Sequence, residues 1–158
     1  MSLQRSTREI DLEAELELKN IYFIEVSSRH WNAIPDEQES PPERTTHHLS
    51  VLQNINGRSI SVRGRLVVKT PQALLIADAA AVYELKEDKG GAQNDTAEEQ
   101  QIELSEEALK AFAENEGVPA IFPFLREAIT SGARKINTKA PVLGILHRGS
   151  VELSRHDK

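Results

Sequence analysis

Residues 120–136, AIFPFLREAITSGARKI, place Phe122, Leu125, Ile129, Gly132 and Ile136 at alternating spacings of three and four. That spacing predicts an amphipathic helix with one packed face. Burying each large side chain of the stripe is worth about 1.5–3 kcal/mol, which outweighs the roughly 1 kcal/mol that a glycine costs a helix interior. Proline is tolerated only in the first helical turn, where its missing N–H is no loss. Pro123 therefore predicts a helix that begins near Ile121 or Phe122. Gly132 has no side chain to present on the packed face, so a close approach of another segment is expected there. The simplest reading is a helix lying on its own sheet, with a subunit contact along one flank as an addition.

Upstream, Ser105 is placed to cap a short helix, Glu106 and Glu107 suit its first turn, and Gly117 is expected to end it. Residues 88–101, DKGGAQNDTAEEQQ, read as an acidic flexible loop. The run before it, LLIADAAAVYELKE at 74–87, reads as a strand whose Ala79, Ala80 and Ala81 leave room for close packing. The preceding strand alternates cleanly, with Ile60, Val62, Leu66 and Val68 on one face and Ser61, Arg63, Arg65 and Lys69 on the other. Asn56-Gly57 between alternating runs is a strong hairpin signal, because a type I′ turn needs positive φ at both central residues.

From Ile10 to Lys19 apolar and polar residues alternate strictly, which predicts a first strand running on through residue 26 with a bulge near Asn20. Glu, Leu and Ala are also good helix formers, so a helix competes over 10–19. Residues 29–46, RHWNAIPDEQESPPERTT, form a long connection that carries Trp31 and Ile34 as conspicuous apolar groups. The expected architecture is α+β: a four-stranded antiparallel sheet, a long crossover after strand 1, and one main helix packed on one face. Residues 1–9 are expected to be a flexible tail, 10–146 the domain, and 147–158 a polar tail.

The 158-residue length suits one domain. Only 4% of the residues are aromatic, so the core has few large anchors and a partner subunit could complete it. The net charge of −6, without a basic patch, opposes nucleic-acid binding. There is no cysteine, and no apolar run approaches the ~20 residues of a membrane span. A soluble cytoplasmic protein is the expectation. His47 and His48, adjacent on a strand, point to opposite faces and make a poor metal site. Gly90-Gly91 lacks phosphate-binding surroundings, and Arg126-Glu127, adjacent on a helix, do not face each other. No catalytic motif is present, so neither an enzyme nor a cofactor is expected.

The stretch Gly117-Val118-Pro119-Ala120-Ile121-Phe122-Pro123-Phe124-Leu125-Arg126-Glu127-Ala128-Ile129-Thr130-Ser131 resembles the helix signature of SecB, the bacterial protein-export chaperone. Leu16–Tyr22 resembles that family's opening strand, and Ala140–Leu146 its Pro/Leu-rich loop. The resemblance implies an ATP-independent chaperone that holds non-native polypeptides, such as export precursors or an antitoxin. It implies assembly as a homodimer or homotetramer, with Phe122, Leu125, Ile129, Gly132 and Ile136 in helix packing or oligomer contacts. It also implies a client groove lined by Trp31, Ile34, Val142, Leu143, Ile145 and Leu146, and a contact of Glu25 with the SecA motor. Export members continue into a second helix and a Cys/His zinc tail that binds SecA. Here about a dozen polar residues follow Leu146, without cysteine, which is more similar to the SecB-like chaperones of toxin–antitoxin systems. The alternative is an interaction protein of the same fold that binds one specific partner.

Overall fold

The computed structural model describes residues 15–33, 40–87 and 101–144. Four strands, β1 (Leu16–His30), β2 (Thr46–Asn56), β3 (Ser59–Lys69) and β4 (Ala73–Leu85), form one sheet in the order β1-β4-β3-β2. All three pairings are antiparallel. The β2–β3–β4 meander and the crossover that carries β1 to the far edge match the expected architecture. Residues 1–14, 34–39, 88–100 and 145–158, which include the expected tails 1–9 and 147–158 and Gly90-Gly91, lie outside the described residues.

The helical layer consists of α1 (Glu106–Phe112), one π-helical turn (Ala113–Gly117) and α2 (Val118–Lys135). Ser105 caps α1 as expected, its side-chain oxygen accepting from the Ala108 N–H at 3.1 Å. Two expectations fail here. Gly117 does not end a helix, because its φ of −68° and ψ of −53° keep the chain helical straight into α2. Its role is steric: a Cβ there would lie 2.6 Å from Val62 Cγ1, so only glycine lets the helix down onto β3. The main helix also begins at Val118 rather than near Phe122, and Pro123 is therefore internal. Pro119 takes the first-turn place, and exposed Pro123 is carried by the packing around it.

That packing is dense. Val118, Ile121, Phe122, Leu125, Ile129, Gly132 and Ala133 of α2 are all buried. They rest mainly on β4, with β1 and β3 at the flanks. Alternating residues of β4, Ala73, Leu75, Ala77, Ala79, Ala81 and Tyr83, face them, joined by Ile60, Val62, Leu66 and Val68 of β3. The run of alanines lets the helix sit close, as the sequence suggested. Gly132 meets the Ser28 side chain of β1, and Gly64 of β3 meets Ile121, Leu125 and Leu49. Of the predicted stripe only Ile136 is half-buried, since it lies just past the last helical residue.

The C-terminus of α2 closes with Asn137 in the left-handed region at φ 57°, and the Thr138 N–H donates to Ala133 O at 2.9 Å. His30 Nε2 donates to the Ile136 carbonyl at 2.6 Å, tying that end to β1. The bulge expected near Asn20 is present between Leu18 and Asn20, and a second lies between Phe23 and Glu25. Leu18, expected in the core, is exposed on the edge strand β1, whereas Leu16 of the same strand is buried in the core.

Two outcomes follow from this packing. Gly117→Ala should destabilise the fold by about 1–3 kcal/mol through overpacking, seen as a lower urea midpoint, and Val62→Ala in the same chain should restore part of the loss. Burial, and secondarily Glu116, pushes the Tyr83 phenol up to about 12. The stability this confers is full below the ordinary value of 10 and is lost as pH rises through 12, so alkaline unfolding should coincide with Tyr83 ionisation in an ultraviolet titration.

Candidate functional site

Three surfaces of the sheet–helix body offer something to bind. The first lies at the end of the sheet where α2 has crossed over to β1. There a cavity of about 320 Å³ opens between the start of β2 (Thr45, His47), the β3–β4 turn (Thr70, Gln72) and the segment after α2 (Lys139, Ala140, Pro141, Val142). Trp31 is anchored on the same turn. Its backbone N–H donates to Gln72 O at 3.2 Å and its indole Nε1–H to Thr70 O at 2.7 Å. The turn is rigid, because Thr70 Oγ1 accepts from the Ala73 and Gln72 N–H groups while Thr70 N–H donates to Ala73 O.

Two of the groove residues expected from sequence lie by this turn, although Trp31 does not line the cavity. Trp31 leans on it from the crossover, and Val142, 89% exposed, faces it across the cavity. Leu143 instead packs half-buried against the core. Ile34, Ile145 and Leu146 lie outside the described residues. The cavity itself was not legible in the sequence, since it joins residues from four separated segments. His47 lines it while His48 faces the opposite side, as strand alternation requires. Among the described residues no group of three or more His, Cys, Asp or Glu is placed to hold a metal ion.

The second surface is the β1 edge. Leu18, Tyr22, Phe23, Ile24 and Val26 are all exposed along one 15-residue strand whose only strand neighbour among the described residues is β4. Exposed apolar edge strands are templates for pairing with another chain.

The third surface is the sheet face opposite the helix. Asp78 sits there in the middle of apolar β4 with its side chain 0% exposed. Arg63 grips it with two bonds, Nε to Oδ1 at 2.9 Å and Nη2 to Oδ2 at 2.7 Å. Arg65 Nη1 reaches both Asp78 Oδ2 at 3.1 Å and Glu25 Oε2 at 2.6 Å. Burial alone would push the Asp78 carboxyl up, but hydrogen bonds from Arg63 and then Arg65 outweigh it and hold the carboxyl below its ordinary value. Glu25, expected at a motor contact, is thus already ion-paired. The sequence signal for this network was the single acid in LLIADAAAV beside Arg63 and Arg65, two residues apart on the neighbouring strand.

Asp78→Asn should cost about 1–3 kcal/mol at neutral pH by removing a charge-assisted acceptor. Because the folded carboxyl is depressed, its contribution is complete above the unfolded value near 3.8 and is lost as pH falls through the folded one. Denaturation curves of the two proteins should therefore converge in strong acid and separate above about pH 4.

No model of a protein family matches the sequence. The SecB-like chaperone SmegB of Mycolicibacterium smegmatis is 25% identical over 138 residues, spanning 87% of this chain and 80% of that protein. Among solved structures, the Mycobacterium tuberculosis Rv1957 SecB-like chaperone, in complex with a ChAD peptide from the Rv1956 HigA1 antitoxin, superposes with a TM-score of 0.63 at 16% identity. That match covers 86% of this chain and 91% of Rv1957. The helix signature, the strand order with its crossover, and these two likenesses agree: the chain is similar in sequence to one SecB-like chaperone and shares the fold of another.

Proposed function

We propose that this protein is an ATP-independent holdase of the cytoplasm that binds non-native polypeptide, with an antitoxin or an export precursor as the client. The observation that carries the proposal is the pairing of Val142 with the Trp31-anchored turn across an open cavity. A side chain left 89% exposed beside a rigid, partly apolar trough gives an extended client chain apolar contacts and a wall of polar atoms. The likeness to a chaperone solved with an antitoxin peptide supports the same reading. Nothing in this arrangement resembles catalytic machinery, so binding rather than turnover is the activity proposed.

Assembly is part of the proposal. The exposed apolar edge of β1 would pair two subunits, and the exposed flank of α2 around Phe124 would join further copies into a dimer or tetramer. We do not extend the proposal to the SecA motor, because Glu25 would have to release Arg65 to serve it.

The test is aggregation of a chemically denatured client, diluted into buffer without nucleotide. The protein should suppress aggregation, and Val142→Asp should weaken client binding about tenfold, the equivalent of about 1.4 kcal/mol, with an unchanged circular dichroism spectrum. No effect on any unfolded client, combined with tight binding of one folded protein, would replace the holdase with a dedicated interaction module.

A further inference from the structure

We infer that the free edge of β2 receives one extended segment of the client as a fifth, antiparallel strand. The inference rests on the client-binding reading above and names its mode of recognition. Both ends of the sheet are edges, but the two strands differ. β1 carries Glu17, Lys19, Glu25 and Arg29 and is bulged twice. Charged side chains and bulges are the devices that keep an edge strand from accepting another chain, so β1 offers a neighbour its apolar side chains rather than a continuous ladder. β2, THHLSVLQNIN, has no Asp, Glu, Lys, Arg, Pro or Gly, and its eleven residues pair with β3 in unbroken register. Among the described residues β3 is its only strand neighbour.

Every second residue of an edge strand turns its N–H and C=O groups away from its neighbour, and another extended backbone supplies acceptors and donors at the same spacing. Main-chain bonds of this kind give affinity, while alternate side chains give preference. On the helix face of β2 the register places Leu49, Val51 and Ile55, each half-buried against the core. Directly opposed residues share a face, so an added strand continues this apolar layer with every second side chain. The other face of β2 carries Ser50, Leu52 and Asn54, opposite Arg65, Arg63 and Ser61 of β3. Polar residues suit the intervening positions there.

Position and size select the occupant. His47, the second residue of β2, lines the same cavity as Val142, so a chain seated in the cavity runs on directly along the β2 edge. A strand of eleven residues is about 37 Å long, and with a depth of about 10 Å its edge presents roughly 370 Å². That is less than half the ~800 Å² per partner of a standard interface between folded proteins and suits one extended segment. A second copy is disfavoured, since its β2 would bring only Leu52 as an exposed large apolar side chain, whereas β1 exposes Leu18, Tyr22, Phe23, Ile24 and Val26 for assembly.

The probes are two labelled peptides of about twelve alternating Val and Ser residues, one N-methylated at every Val amide and the other at every Ser amide, followed by fluorescence anisotropy. A ladder on β2 reads only one of the two sets, because alternate N–H groups of a strand point to opposite sides. One peptide should therefore bind at least about tenfold more tightly than the other. The double variant Leu52→Lys with Asn54→Lys, both exposed positions, should weaken the tighter peptide about fivefold with an unchanged circular dichroism spectrum. Equal affinity of the two peptides, binding of neither, or indifference to the double variant would each overturn the inference. If a denatured client is still held in any of those cases and is released by Val142→Asp, the holdase stands and the fifth strand falls. A tenfold preference between the peptides without suppression of client aggregation would keep the strand and remove the holdase. A fall in solution mass of the double variant, with peptide binding unchanged, would make β2 a subunit contact and overturn the inference.

Discussion

Everything in this molecule depends on how closely α2 can lie on β4. The helix contributes Leu125, Ile129 and Ile121, all essentially removed from solvent, and the strand answers with Ala77, Ala79 and Ala81. A helix-to-sheet contact built from large side chains on one surface and methyl groups on the other brings the layers together without voids. Three glycines extend the principle: Gly64 beneath Ile121, Gly117 against Val62, and Gly132 against Ser28. With aromatic residues making up only 4% of the chain, packing density rather than side-chain bulk holds the core. The same closeness explains how an internal Pro123 persists. Its cost of about 3 kcal/mol is set against several buried aliphatic side chains worth about 1.5–3 kcal/mol each.

The diagonal path of α2 then distributes the surfaces. The helix starts over Val62 of β3 and ends at Ser28 and His30 of β1. It therefore leaves the β2–β3 corner at the far end uncovered, and the cavity beside the Thr70–Gln72 turn opens there. Most of β1 is left at the margin, which exposes Phe23 and Val26 on the helix side of an edge strand. The open cavity and the exposed strand edge are both consequences of one crossing direction. On the reverse face, where no helix lies, the buried charge of Asp78 is balanced by arginines that double as surface groups.

Much of the sheet was legible because alternation along a strand survives tertiary context. Ile60 through Val68 kept the predicted face, and the Asn56-Gly57 hairpin formed with Gly57 at φ 61°. The helix boundaries were misread for a specific reason. Glycine and proline were interpreted through local backbone preference, but Gly117 is selected by the Val62 side chain it abuts, and Pro119 held the first-turn position assigned to Pro123. Leu18 was misassigned because period two reveals that a strand has two faces and not whether a helix reaches either of them. Of the predicted groove, Trp31 is bonded to the Thr70–Gln72 turn and Val142 lines the cavity beside that turn, while Leu143 turns inward to the core.

The sequence by itself determined the elements, their order, the capped start of α1 and the family resemblance, since each rests on neighbours within a few residues. Only the tertiary structure decided what those elements expose. The cavity, the Asp78–Arg63–Arg65–Glu25 network and the close approach at Gly117 all join residues far apart in the chain, and their partners are set by sheet register and helix crossing. Periodicity in a sequence records which side of an element is apolar. What meets that side is decided when the layers pack.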